Sequence, residues 1–406
     1  MMRIAVIGAG AAGCFCAIEL RRRLKDAEVV ILEAGERPLA KVAVTGGGRC
    51  NLTNSFAEVK SLASVYPRGE AVMKRAFRRF SSQDVCRWFE KEGVRLVTQE
   101  DQCVFPQSQD AMQIVRTLLR LLDRYGVSLR TSSRVTSVRY SEDAYVVTVS
   151  GADECFDRVV VTTGGSPKVS GISFLGPLDL VIEPPVPSLF TFKIKDKSLT
   201  SMMGAVVEDA AVSFCGTRFR AQGPLLVTDW GVSGPAVLKL SSYAARWLSE
   251  SGYKARLSIC WMGESNEQEV RDMLQGYIDA NPQKQVCSVY PRVLTSRLWS
   301  HILMRAQLRA DIRWAEMGKK GLNRLAGILV NDVYDIDGKG QFKDEFVTCG
   351  GVSLSNVDLN TLESKKHPGL FFAGEVLDID AVTGGFNLQA AWSTGYVVAC
   401  SISQPS

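Results

Sequence analysis

The chain alternates apolar runs of strand length with longer stripes of helical period. Residues 3–7, RIAVI, form a short apolar, β-branched run that predicts a buried parallel strand. A helical stripe follows, with Ala17, Leu20 and Leu24 on one side and the arginines 21–23 facing outward. A second apolar run, EVVILEAG, ends at Glu33. Two more strand-like runs, VVVTTGG at 159–165 and residues 370–373, end in small residues. After Gly384-Gly385 comes a helical segment, FNLQAAWSTGYVVACSI.

The middle of the chain has a different rhythm. SLFTFKIK, GAVVEDAAVSF, GPLLVTDWG and KARLSICW read as strands of an antiparallel sheet or barrel. At residue 266 the period changes. Asn266 with Glu269 makes a capping box, and Val270, Met273, Leu274, Tyr277 and Ile278 form a helical stripe ended by Asn281-Pro282. Residues 292–308 predict a second helix, and LAGILVNDVYDIDGKGQF a return to strand with a turn. The predicted segments are 1–186 and 345–406 for a domain built from both ends, 187–264 and 321–344 for a middle β domain, and 265–320 for a helical insertion.

The glycines add chemistry to this outline. Gly8, Gly10 and Gly13 stand in G-x-G-x-x-G spacing between the first strand and its helix, and Glu33 lies twenty residues further on. This is the full dinucleotide-binding context. The first glycine makes the turn, the second admits a pyrophosphate, and the third lets helix pack on strand. The helix amino end faces the phosphates, and Glu33 would accept the ribose hydroxyls. A second glycine loop, KVAVTGGGRCN at 41–51, follows the acid and suggests a cofactor larger than NAD. Its KVAVT portion looks strand-like. Gly46, Gly47 and Gly48 would bring backbone amides to the cofactor as an anion-binding nest, with Arg49 adding a fixed positive charge. Cys50 reads either as a redox partner of a flavin or as a small packed residue. The nearest cysteines in sequence, Cys16 and Cys86, offer no pairing, which favours packing. At the far end, Glu375 closes a strand beside a helix amino terminus. That arrangement suits a flavin: the carboxylate bonds ribityl hydroxyls, and the helix amides near Asn387 face the N1 edge that becomes anionic on reduction.

Composition narrows the alternatives. The net charge of +5 does not demand nucleic acid or an anionic membrane. The basic stretches RRR at 21–23 and KRAFRRF at 74–80 read as solvated helix faces. No apolar run spans a bilayer, and IAVIGAG is too short for a signal peptide, so a cytoplasmic location is expected. Eleven cysteines without a C-x-x-C pair argue against zinc ribbons and dithiol motifs, so no metal is expected. The only two histidines, His301 and His367, read as helix-surface and loop residues, leaving little room for a histidine base. There is no second G-x-G-x-x-G, so NAD(P)H would act only as a transient reductant.

GAGAAG, KVAVTGGGRCNLTN, VTDWGVSGPAVLKLS, VTCGGVSL and GLFFAGEVLDIDAVTGGFNLQAAWSTG together resemble the bacterial FAD-dependent family that includes aminoacetone oxidase and the BaiN-type bile-acid-pathway flavin reductases. The resemblance implies an α/β fold: a two-ended Rossmann-like FAD domain with a middle β-barrel-like domain and a small helical insertion. It implies non-covalent FAD. The cofactor-binding candidates are Gly8, Gly10, Ala11, Ala12, Gly13, Glu33, Ala34, Lys41, Gly46, Gly47, Gly48, Arg49, Cys50, Asn51, Val135, Thr163, Gly164, Gly374, Glu375, Asp380, Gly385, Phe386, Asn387 and Leu388. The chain departs from the family pattern at Asp229-Trp230, where a threonine–histidine pair is common, and in a shorter stretch after residue 165. The expected activity is hydride transfer between the flavin and a small organic molecule, with NAD(P)H or dioxygen as electron partner. The substrate pocket is expected where the FAD domain meets the middle domain, with Arg49 and Trp230 as catalytic candidates. A flavin-dependent tRNA-modifying enzyme and a flavin-binding sensor without turnover are the alternatives. Nothing in the sequence fixes an oligomeric state.

Overall fold

A computed structural model describes residues 1–166, 168–340 and 347–404. The chain divides into two compact units, one formed by Met1–Val186 with Val347–Ser406, the other by Pro187–Phe346.

The first unit is a Rossmann unit built on a five-stranded sheet. Its order is Leu370–Phe372, Arg158–Val161, Arg3–Ile7, Glu28–Leu32, Ser128–Arg130, with every neighbouring pair parallel. Residues 4–7 are buried, which is why this strand reads as an unbroken apolar run; the helix Ala11–Arg23 and the antiparallel strands Ala144–Val149 and Ala152–Phe156 contact the central strands of the sheet. The helices Ala11–Arg23 and Phe386–Ser403 pack together, and a side chain at Gly395 would stand 3.0 Å from the Ala12 carbonyl oxygen. The chain moves outward on one side of Arg3–Ile7 and returns on the other through Arg158–Val161. Strand order therefore reverses at the carboxyl end of the first strand, the place where open α/β sheets bind ligands.

The second unit closes a six-stranded barrel in the order Phe192–Ile194, Gly231–Ser233, Arg220–Val227, Val206–Phe214, Lys254–Cys260, Asp332–Lys339. The helices Glu267–Ala280, Ser296–Arg305 and Gly318–Val330 belong to the same unit, and Trp261, Trp299 and Trp314 are fully buried in its core. The capping box of Asn266 and Glu269 is formed. Among the described residues no helix is long and apolar enough to cross a membrane.

Several local expectations need correction. KVAVT is not strand-like: residues Ala40–Val44 form a short helix with Val42 alone buried. Leu39 enters it in the left-handed conformation, and its amide donates to the Ala9 carbonyl at 2.8 Å. LAGILV is helical too, because Leu325, Ala326 and Leu329 point to one core face. The helix expected over 292–308 begins at Ser296, capped by the Thr295 hydroxyl at 3.3 Å from Leu298 N. His301 is not on a helix surface but 5% exposed, with Nε2 2.8 Å from the Tyr334 hydroxyl. Gln341 and Phe342, the end of the run LAGILVNDVYDIDGKGQF, and the boundary at 344 lie outside the described residues. Arginines 21–23 are not a solvated face. Arg21 binds the carbonyls of Leu24 (3.0 Å), Lys25 (2.6 Å) and Tyr125 (3.0 Å), while Arg22 and Arg23 pair with buried Glu19.

Candidate cofactor site

The glycines of the first turn have unequal reasons to be glycine. Gly8 has φ +106°, and a side chain there would lie 2.6 Å from the Thr162 carbonyl oxygen. At Gly13 a side chain would lie 2.0 Å from Gly8 O, so strand and helix could not meet. Gly10 is different. Its φ of −84° suits any residue, and a Cβ there would meet no protein atom within 4 Å. Neither backbone nor neighbours ask for glycine at residue 10, which leaves open space at the mouth of a helix. That helix has no side-chain cap and no acidic residue in its first turn, where Ala11, Ala12 and Gly13 sit. Its unpaired amides and dipole present a phosphate-binding end.

Glu33 sits at the next strand end. Its carboxylate accepts from the amides of Ala9 and Gly35, each at 2.7 Å, so it braces the glycine turn. Ser133 N donates to Glu33 O at 2.7 Å and Ser132 N to Gly35 O at 2.9 Å. The segment leading into Val135 therefore lies alongside Glu33 and exposed Ala34, the expected nucleoside end.

Gly374 and Glu375 meet the same helix end, since a side chain at Gly374 would be 2.9 Å from the Ala12 Cβ. Glu375 accepts from Thr348 N at 2.9 Å, and its other oxygen lies 3.5 Å from Lys41 Nζ. A side chain at Gly165 would strike Glu375 Oε1 at 2.6 Å, so the turn containing exposed Thr163 and half-buried Gly164 runs directly past this carboxylate. Gly10, Lys41, Gly164 and Glu375, far apart in sequence, are thus gathered at the carboxyl end of the sheet.

The second helix end is built by residues from both termini of the chain. Gly385 caps it with φ +86°, 2.4 Å from Thr53 O were a side chain present. Asn51 bridges the two segments: its amide nitrogen donates to Thr53 O at 3.0 Å and its oxygen accepts from Gly385 N at 3.2 Å. Trp392 Nε1 donates to Leu52 O at 3.0 Å. Phe386 is buried, and half-buried Leu388 lies in the first turn. No acidic residue occupies that turn.

Three expected contacts are otherwise engaged. The Asn387 side chain exchanges two hydrogen bonds with Ala381, accepting at 2.9 Å and donating at 3.0 Å, so it pins a loop. Asp380 is fully buried against Arg68, which grips both of its oxygens. Gly46, Gly47 and Gly48 all have positive φ, and part of the loop's amide capacity is spent within the loop itself. The Gly48, Arg49 and Cys50 amides donate to Val44, Gly46 and Thr45 carbonyls at 3.2, 3.4 and 3.0 Å, closing the turn on itself. Exposed Arg49 stacks on Phe105, 4.5 Å from the ring centroid. Cys50 is fully buried, and burial pushes its thiol up to about 12. Trp230 belongs to the second unit, where its indole N–H donates to Thr191 Oγ1 at 3.2 Å.

The sequence reading missed Thr162, Tyr66 and Arg68. Thr162 Oγ1 donates to Ile7 O (3.0 Å) and Gly8 O (2.9 Å), and Tyr66 donates to Phe386 O at 2.9 Å. The Thr-Thr-Gly-Gly strand end hinted at Thr162. Nothing local marks Tyr66 or Arg68.

The HI0933-like protein Rossmann domain family matches residues 2–401. The chain is 28% identical over 409 residues to the 3-dehydro-bile acid delta(4,6)-reductase of Clostridium scindens, covering 98% of each chain. It is 29% identical over 411 residues to the ribosomal RNA dihydrouridine synthase of Haemophilus influenzae, again over 98% of each. The protein of that name from Escherichia coli is 28% identical, with 97% of this chain and 96% of that one covered.

Proposed function

Since the chain belongs to the HI0933-like FAD Rossmann family of flavin oxidoreductases, we propose that it is an FAD-dependent reductase that saturates a carbon–carbon double bond conjugated to a carbonyl. One NAD(P)H and one proton are consumed per double bond, and NAD(P)⁺ leaves. The names of the two relatives support this chemistry: one is a delta(4,6)-reductase, the other makes a dihydro base, and both describe saturation of a double bond.

The observation that carries the cofactor assignment is Gly10, a glycine required by no protein contact at the open mouth of a helix. The residues present fit FAD. The turn at Gly10 and the amides of the first helix would hold the pyrophosphate. Glu33 and the strand entry at Val135 would hold the adenosine side, and Glu375 the ribityl hydroxyls. Lys41 stands 3.5 Å from one Glu375 oxygen and orients that carboxylate. The acid-free end of the helix Phe386–Ser403 favours negative charge beside it. When bound, the flavin supplies two-electron hydride chemistry; the protein supplies orientation and electrostatics. With one dinucleotide fingerprint in the sequence, the nicotinamide binds weakly and leaves after transfer.

The test is anaerobic and uses the FAD-loaded protein. NADH or NADPH should bleach the visible flavin band, and cyclohexenone should restore it. Reoxidation by dioxygen alone, never by a conjugated enone or a uridine, contradicts the reading.

A further inference from the structure

The loop 45–51 spends only part of its hydrogen-bonding capacity. Gly46, Gly47 and Gly48 have φ of +60°, +68° and +82°, and Cys50 follows at +61°. These residues wind a left-handed turn that L side chains rarely adopt, and fully buried Cys50 anchors it. The amides of Gly48, Arg49 and Cys50 are consumed inside the turn, and Gly48 O accepts from Ala111 N at 2.8 Å. Among the described residues the amides of Gly46 and Gly47 meet no acceptor. Gly47 is exposed, and a Cβ on Gly47 or Gly48 would meet no protein atom within 4 Å.

Arg49 stands beside these amides with its fork unused. Its Nε donates to Gly46 O at 3.2 Å, and its guanidinium lies over buried Phe105, 4.5 Å from the ring centroid. Those two contacts fix the group and leave both Nη atoms without an acceptor among the described residues. Lys41, the other exposed cation of this stretch, is shared with Glu375 at 3.5 Å. Among the described residues no acid lies within ion-pair distance of Arg49. Two unspent amides and a preset guanidinium thus stand within four consecutive residues, beside open space. Such a set is suited to a phosphate, whose oxygens a guanidinium fork matches in pairs.

The turn borders the flavin end of the candidate site. A side chain on Gly46 would lie 2.8 Å from Asn51 N, and the Asn51 side chain reaches Gly385 N at the cap of the helix Phe386–Ser403. The pyrophosphate of FAD is assigned to the other helix, at Gly10. The proposed reaction needs a second dinucleotide, for which the chain has no second fingerprint. A dihydronicotinamide lying on the flavin carries its pyrophosphate one ribose away, so the groups that hold it must border the flavin end.

We propose that Arg49 and the amides of Gly46 and Gly47 bind the pyrophosphate of NAD(P)H, while its nicotinamide gives a hydride to the flavin and leaves as NAD(P)⁺. The inference rests on the FAD assignment and on NAD(P)H as the reductant. One exposed fork and two amides give weak binding that salt screens. The pyrophosphate is common to NADH and NADPH, so the cradle serves both alike.

The experiment compares the FAD-loaded full chain with its Arg49→Gln and Gly47→Asn variants. Asparagine tolerates the left-handed backbone and puts a side chain into the open space. Calorimetric titration with NAD⁺ should show binding that weakens with salt and falls by roughly ten- to hundred-fold in Arg49→Gln. In anaerobic stopped flow, both variants should require more NADH and more NADPH, by the same factor. The loss should not appear with N-benzyl dihydronicotinamide, which donates the same hydride but carries no phosphate. FAD content and unfolding temperature should be retained. The cradle is disproved if the wild type does not bind NAD⁺, if the variants bind it equally, or if the benzyl donor is slowed as much as NADH. It is also disproved if FAD is lost from both variants, which would give the turn to the flavin's own pyrophosphate, or if the effect falls on a carboxylate-bearing enone in place of the nucleotide. A flavin that NADH reduces through an Arg49-dependent step, but that cyclohexenone never reoxidises, would retain the cradle and remove the reductase reading.

Discussion

Asp332 in the barrel unit and Glu375 at the edge of the Rossmann sheet are both carboxylates held among hydrogen-bond donors, yet they differ in what remains unused. Asp332 is fully buried, and both oxygens are consumed: one by Arg305 Nε (2.9 Å) and Nη2 (2.6 Å), the other by Trp261 (3.0 Å) and Tyr334 (2.5 Å). His301 completes the cluster. The Tyr334 proton goes to Asp332, so His301 Nε2 donates to the tyrosine oxygen and Nδ1 is left as a bare buried lone pair. Glu375 has one oxygen on a backbone amide and the other 3.5 Å from an exposed lysine, in a half-buried position lined by glycine. The lesson is that a buried charge by itself marks architecture. Unspent hydrogen-bonding capacity beside open space marks a site.

The largest effect expected from this contrast is on stability. Asp332→Ala strands Arg305 and Tyr334 and should cost about 3–5 kcal/mol in urea unfolding. A loss below about 1 kcal/mol would break the comparison. Next is Glu33→Ala, which removes the brace on Ala9 and the expected ribose acceptor. It should weaken FAD by roughly ten- to hundred-fold, or about 1.5–3 kcal/mol, in calorimetric titration. Unchanged affinity would remove Glu33 from the site.

A pH titration sharpens the barrel half. Burial holds His301 below its ordinary value, opposed by Asp332 and Asp196 and assisted by Arg305. The unfolded chain therefore binds this proton more readily, so His301 lowers stability as pH falls below about 6.5. Replacing His301 by Phe should flatten that acid limb of the unfolding temperature; an unchanged limb assigns it to other groups. The smallest effect is Cys50→Ser. A buried thiol pushed up to about 12 is no thiolate at neutral pH, so flavin content and reduction rate should be retained. A serine variant that binds FAD normally but is not reduced would make Cys50 catalytic.

Where the structure was legible in the sequence, the cause is local. RIAVI, the glycine spacing and the acid at Glu33 each carry their geometry in neighbouring residues. The two-ended Rossmann unit and the barrel follow from such runs. The failures share a different cause. The helix Ala40–Val44 depends on Leu39 reaching Ala9, thirty residues earlier. The LAGILV run fits a buried strand or a buried helix equally well, and tertiary packing of Leu325 and Leu329 decides. His301 looked like a surface residue because its partner, Tyr334, lies on a distant strand. Arg68 and Asp380 are 312 positions apart, and no spacing rule joins them. Asn387 stood in the right turn, but its side chain was already committed to Ala381.

The most direct test of the cofactor assignment is Gly10→Val. The backbone there, φ −84° and ψ −168°, accepts a β-branched residue, and a Cβ meets no protein atom within 4 Å. Protein packing therefore gives no reason for the variant to unfold, and only a ligand in the turn would be displaced. The account predicts an apoprotein with the wild-type unfolding temperature and FAD affinity weaker by roughly a hundred-fold, about 2.8 kcal/mol. A valine variant that binds FAD as the wild type does would contradict it.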